Sequence, residues 1–179
     1  MICGCGAKTQ NDIGLTELGI AYVNKLQKLK ILVDVSHASE KTFWDVIGNT
    51  TGPIVATHSN VYELCNHPRN LKDKQIKEIA KRNGVIGICF YKEFLNSKEE
   101  ASVKDIVEHI KYIKDLVGID YIGLGTDFDG MADEDAAKGV EKISLLNNIV
   151  EEMKNQCFSC EEIVKVLWKN WYRVLQNAF

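Results

Sequence analysis

Four short apolar runs, at residues 31–35, 53–57, 84–90 and 121–125, each followed by a stretch of helical periodicity, constrain this chain more than any other feature. Each run stays hydrophobic along its length instead of alternating with polar residues. Continuous hydrophobicity marks a parallel strand covered on both faces, whereas alternation marks a half-solvated antiparallel sheet. Parallel strands need long crossovers, and the intervening helical segments supply them.

Those segments carry their own start signals. Ser39 stands where an N-cap is needed, ahead of Phe43, Val46 and Ile47 on one face. From Lys72, a second helix turns Ile76, Ile79 and Ala80 inward. Residues 102–117 give the clearest pattern: Val103, Ile106, Val107, Ile110, Ile113 and Val117 form one apolar stripe, with Lys, Glu and Asp opposite. Residues 16–29 predict a helix before the first strand. After the last strand, 143–154 predict another, and a terminal helix opens at the capping box from Ser159 to Glu162. The order is helix, four strand-helix units, terminal helix. Such α/β alternation builds either an open doubly wound sheet or a closed (β/α) barrel. A complete eight-stranded barrel takes about 250 residues, so four units amount to roughly half of one. No linker, low-complexity segment or close repeat divides residues 1–179, which read as a single domain.

Composition narrows the function classes. The 179 residues are 45% hydrophobic and 26% charged, enough for a buried core, and the net charge of −3 leaves no cationic excess for nucleic acid. No run approaches the length of a membrane span, and the opening MICGCGAKTQNDIG lacks the apolar core of a signal peptide, so a cytoplasmic chain with no membrane span is the expectation. The six cysteines are read as reduced thiols. Cys157 and Cys160 form a CxxC with no second pair at zinc-ribbon spacing.

Three strand ends stop at a metal-competent residue: ILVDVSH at His37, IVATH at His58 and YIGLGTD at Asp127. In parallel α/β architecture the carboxyl ends of the strands open on one face, so these three should converge. Imidazole and carboxylate together suit Zn²⁺, which lowers the pKa of bound water to about 7 and makes hydrolysis the natural reaction. His67 and His109 are assigned structural or solvent-exposed roles. Arg69, in the loop after the second strand, either grips a substrate carboxylate bidentately or pairs with Asp73. In GTDFDG, Asp127 continues the strand into the mouth and Asp129 shapes the turn, while Gly125 and Gly130 allow close backbone approach or positive φ.

The strings GLTELG, LVDVSHASEKTFWDV, PIVATHSN, HPRNLKD, GVIGICFY, VGIDYIGLGTDFDG and NWYRVL, in this order, resemble the membrane (renal) dipeptidase family of zinc metallopeptidases. The resemblance begins near Gly14, which leaves 1–13 as a family-unlike leader, and it covers the carboxy-terminal half of the family's chain. It implies a TIM-like barrel, two zinc ions in the complete site and dipeptide substrates. It implies further that His37 and His58 bind one zinc, that Arg69 holds the substrate's terminal carboxylate and that Asp127 is the general acid and base. Phe94 falls where some members carry a tyrosine near the substrate. The family's H-x-D pair and bridging glutamate have no counterpart in this sequence, so the missing ligands are expected from a second copy, making a homo-oligomer, or from a complementary amino-terminal half. A catalytically silent half-barrel serving as a binding or interaction module is the alternative, and another barrel amidohydrolase is the third reading.

Overall fold

The helices from Glu17, Glu40, Val103 and Cys160 begin where their capping signals stand. In the computed structural model, which describes residues 3–98 and 100–178, Thr16 accepts from the Gly19 amide at 3.1 Å and starts α1 (Glu17–Lys28). Ser39 accepts from the Thr42 amide and starts α2 (Glu40–Asn49). α3 (Asp73–Lys81) opens at Lys72, and α4 (Val103–Val117) opens at a capping box between Ser102 and Asp105. After the last strand come three 3₁₀ turns (Phe128–Gly130, Asp133–Asp135 and Ile143–Leu145), then α5 (Asn147–Asn155) and α6 (Cys160–Val164), the last opened by the Ser159–Glu162 box. A π-helical turn (Lys165–Lys169) joins α6 to α7 (Asn170–Ala178).

The four apolar runs hold the strands β1 (Val33–Asp34), β2 (Ile54–Val55), β3 (Ile86–Ile88) and β4 (Ile122–Leu124). β1 pairs with β2, β3 pairs with β4, and both pairings are parallel. A parallel bridge between Ala56 and Ile86 joins the two pairs, giving the order β1-β2-β3-β4. The ladders are shorter than the apolar runs. Side chains complete the pairing beyond them: Asn60 Nδ2 donates to the Cys89 carbonyl at 3.0 Å, and its Oδ1 accepts from the Cys89 amide at 2.9 Å. Such bonds satisfy backbone groups that the buried strand ends would otherwise leave unpaired.

Helices pack on this sheet in two separate clusters, one of them formed by Val174 and Trp171 of α7 with Val55 and Val85. Ile106, Ile110 and Ile113 of α4 are fully buried against β3 and β4 together with Ile76 and Ile79 of α3. Burying each such side chain contributes about 1.5–3 kcal/mol relative to leaving it in water. The sequence pattern leads one to expect both sheet faces to be covered. The structure differs at the flanks: Ile31 and Asp34 are exposed and Leu124 is half-buried. Among the described residues, β1 and β4 pair with another strand on one side only, so side chains there have fewer packing partners. Among the described residues, no helix is long and apolar enough to cross a membrane.

Candidate active site

Register places the two strand-end histidines together. Asp34 pairs with Val55, and His37 and His58 lie equally far beyond that pair along their chains. Their Nε2 atoms face each other at 2.8 Å, with ring centroids 4.9 Å apart and an interplanar angle of 60°. The segment before α1 folds across the first of them. The Ala7 amide donates to the His37 carbonyl at 2.8 Å, and the Ser39 amide donates to the Cys5 carbonyl at 2.9 Å.

Asp34 is the hydrogen-bond centre beneath this pair, and the sequence reading missed it. Its Oδ1 accepts from the Ser36 amide (3.0 Å), the Ser36 hydroxyl (2.7 Å) and the Thr57 amide (3.0 Å), and its Oδ2 accepts from the Thr57 hydroxyl (2.5 Å). Desolvation alone would raise its pKa. The donors of Thr57 and Ser36 outweigh that and hold it below the usual carboxylate value. Thr57 Oγ1 also lies 2.8 Å from His58 Nδ1, and the His58 amide donates to Ser36 Oγ at 3.1 Å. The only sequence signal was the Asp in ILVDVSH, a charge inside an otherwise apolar run.

Arg69 is buried, and its guanidinium braces both histidine turns. Nε donates to the Ser36 carbonyl at 3.0 Å, one terminal nitrogen donates to the His58 carbonyl at 3.3 Å, and the other lies 3.5 Å from His37 Nδ1. Its plane sits 5.3 Å from the centroid of Phe94, a cation–π arrangement. Asp73, the other partner considered for it, accepts instead from the Tyr112 hydroxyl at 3.0 Å. The guanidinium carries five N–H donors, and these contacts leave some of them for a ligand carboxylate.

Asp127 stands beyond the end of β4 with φ 61°, in the left-handed region, and opens the 3₁₀ turn Phe128–Gly130. The left-handed residue of GTDFDG is therefore Asp127. Asp129 is exposed, and Gly130 serves close approach, since a Cβ there would strike Asp127 Oδ1. Gly125, directly after β4 in the same segment, has the same use: a Cβ there would strike the Thr57 carbonyl oxygen. Asp127 lines an open cleft of about 670 Å³ with His37, Arg69, Tyr91, Phe94 and Lys8. His37 is held below the ordinary histidine pKa, first by desolvation and then by the nearby charges of Arg69 and His58, against the opposite pull of Asp127 and Asp34.

The other two histidines do different work. His67 Nδ1 accepts from the Arg69 amide at 3.1 Å, and its ring lies 4.5 Å from that of Phe94. His109 is 1% exposed; its Nδ1 accepts from the Val61 amide at 3.0 Å and its Nε2 donates to the Leu95 carbonyl at 2.8 Å. Burial depresses its pKa to about 4. The six cysteines form no disulfide, and Cys157 and Cys160 lie exposed at the turn between α5 and α6. Tyr91 also escaped the sequence reading: it places a phenol in the cleft beside Phe94, with ring centroids 4.7 Å apart.

Two converging imidazole nitrogens suit a transition-metal cation. Among the described residues, no group of three or more His, Cys, Asp or Glu is placed to hold a metal. The fold and site thus define a parallel α/β chain whose strand ends offer an imidazole pair beside a buried arginine and a carboxylate. The sequence model of the membrane dipeptidase family (peptidase family M19) matches residues 4–178, and the chain belongs to that family. Membership implies a metal cofactor.

Relatives agree. A Klebsiella pneumoniae protein described as an uncharacterized protein in the pqqA 5′ region is 37% identical over 93% of this chain and 62% of its own length. Dipeptidase aclJ of Aspergillus oryzae is 34% identical over 92% of this chain and 39% of its own. The chain thus spans between about two fifths and three fifths of the curated relatives it matches. Among solved structures, the metallo peptidase of Rhodobacter sphaeroides, liganded with a phosphinate mimic of the dipeptide L-Ala-D-Ala, superposes with a TM-score of 0.91 at 30% identity. That match covers 99% of this chain and 53% of the other.

Proposed function

We propose that this chain carries part of the active site of a zinc dipeptidase, built on about half of a TIM-like barrel, and that the substrate is a dipeptide. The observation that carries the reading is the facing of His37 Nε2 and His58 Nε2 at 2.8 Å in a chain of the membrane dipeptidase family. The phosphinate dipeptide mimic bound by the Rhodobacter sphaeroides relative supports the substrate class.

In this reading His37 and His58 hold the metal. When bound, zinc polarises the peptide carbonyl and supplies hydroxide near neutral pH. Arg69, fixed by Ser36, His58 and Phe94, directs its remaining N–H groups at the substrate's terminal carboxylate and sets its register in the cleft. Asp127, held at the mouth by its left-handed backbone, takes the proton of the attacking water and returns it to the leaving amine. Phe94 and Tyr91 shape the wall beside it.

Two imidazoles furnish one ion incompletely. We therefore assign the remaining ligands of a two-zinc site to a complementary amino-terminal half or to a second copy of this chain. The absence of a three-ligand group among the described residues also supports a second reading, a silent half-barrel used as a binding module. Zinc calorimetry on the chain alongside hydrolysis of L-Ala-D-Ala separates the two. The dipeptidase reading expects zinc binding that His37→Ala and His58→Ala each abolish, with turnover slow in the chain alone and raised by the complementary half. Zinc binding unchanged in both variants overturns it.

A further inference from the structure

We propose that Asp34 and Thr57 act as positioning residues that lock His58 in its Nδ1–H tautomer, so that its Nε2 lone pair is pre-set for a cation. The inference rests on the reading of His58 as a metal ligand. It deepens that reading by naming which of the two histidines is prepared in advance and what prepares it.

The argument is a count of protons. The Asp34 carboxylate receives four hydrogen bonds from Ser36 and Thr57, among them one from the Thr57 hydroxyl at 2.5 Å. An ionised carboxylate only accepts, and a threonine hydroxyl has one proton to give. That proton goes to Asp34. At 2.8 Å from His58 Nδ1, Thr57 Oγ1 can then only accept, so Nδ1 carries the hydrogen. In a neutral imidazole the other nitrogen is then the acceptor, which leaves Nε2 with its lone pair directed at His37. Ser36 repeats the logic on the main chain, giving its hydroxyl proton to Asp34 and accepting from the His58 amide at 3.1 Å. Ring and backbone of His58 are thus tied to the same carboxylate.

His37 is arranged the other way. The nitrogen near its Nδ1 belongs to Arg69, at 3.5 Å, and a guanidinium only donates. His37 Nδ1 therefore accepts and its Nε2 carries the hydrogen, which points at the free lone pair of His58 Nε2 at 2.8 Å. The two tautomers are complementary in the metal-free chain. For both imidazoles to bind a cation, His37 must move its proton from Nε2 to Nδ1 and release the long contact to Arg69. His58 moves nothing. Outer-shell partners of this kind fix the tautomer and the ring orientation of a ligand, and losing one costs about 10–100-fold in metal affinity.

The test uses the full chain, metal-free and then titrated with zinc. Long-range ¹H–¹⁵N correlation spectra of histidine-labelled protein at pH 7.5 report each tautomer directly, with His58 assigned by its loss in His58→Ala. The expected result is an Nδ1–H pattern for His58 and an Nε2–H pattern for His37. Thr57→Val keeps the backbone amide that bonds Asp34 but removes the hydroxyl. It should release the His58 tautomer toward Nε2–H and weaken zinc binding by about 10–100-fold, while Thr57→Ser restores both. An Nε2–H pattern for His58 in the wild type, or a Thr57→Val protein that keeps the wild-type tautomer and affinity, overturns the lock. If the tautomers come out as expected but zinc does not bind, the lock stands and the metal reading fails.

Discussion

His37 Nε2 and His58 Nε2 face each other at 2.8 Å although 21 residues separate them in the chain. Parallel pairing of β1 and β2 brings them together, and Arg69 and Asp34 anchor the two sides of the pair. Proton uptake by His37 would set an imidazolium against the buried Arg69 guanidinium, whose nearest nitrogen lies 3.5 Å from His37 Nδ1.

That arrangement predicts the titration of His37. Burial first, then Arg69 and His58, lower its pKa, so the folded chain disfavours the imidazolium and loses stability from this group as pH falls below 6.5. NMR titration should give a His37 midpoint below 6.5. Arg69→Gln should move that midpoint upward, and an unchanged or lowered midpoint would contradict the assigned cause.

His109 should dominate the acid sensitivity of the fold. Its Nδ1 accepts from the Val61 amide, so protonation would set two donors against each other inside the core. With a pKa lowered from 6.5 to about 4, its contribution is complete above 6.5 and lost as pH falls toward about 4. The loss amounts to about 3 kcal/mol at about 1.4 kcal/mol per pH unit. Urea unfolding from pH 7.5 to pH 4 measures it, and His109→Gln should flatten the slope.

Two glycines should respond differently to one methyl group. Gly125→Ala drives a Cβ into the Thr57 carbonyl, backbone that cannot yield, and should destabilise the chain by about 1–3 kcal/mol. Gly130→Ala meets only the carboxylate of Asp127, which can rotate away, and should stay within about 0.5 kcal/mol. Denaturant midpoints at constant m-value decide between these outcomes.

Asp127→Asn keeps the shape of the turn and removes the proposed proton acceptor. In the dipeptide hydrolysis proposed for this site, kcat should fall by about 10²–10⁴ with little change in KM, the signature of a group that acts in the transition state. A rise in KM at constant kcat would make Asp127 a binding residue instead.

Exposed apolar side chains lie at both flanks of the sheet. Leu18, Tyr22, Leu29 and Ile31 flank β1, and Trp168, Tyr172 and Leu175 belong to the terminal helices packed on β4. Exposed apolar side chains beside strands at the edges of a sheet favour association. Light scattering at micromolar concentration should give a mass above the 20.2 kDa of one chain. A monomer would show that these flanks stand in water unaided.

The sequence by itself determined the order of elements, the parallel sense of the sheet and the strand ends that carry His37, His58 and Asp127. Those properties are written in local signals: continuous apolar runs, Ser39 and Ser159 as caps, and the stripe from Val103 to Val117, each legible over a few residues. Tertiary structure alone decided what surrounds the histidines. Asp34 reads in sequence as a stray charge, and only the register of β1 against β2 sets it beneath Thr57. Arg69 reads as a loop cation until the fold lays it on Phe94 and across both histidine turns. His109 reads as the edge of a stripe, yet it clamps Val61 to Leu95. Hydrogen-bond partners depend on contacts between residues far apart in the chain, and no local pattern encodes the direction in which a side chain's last proton points.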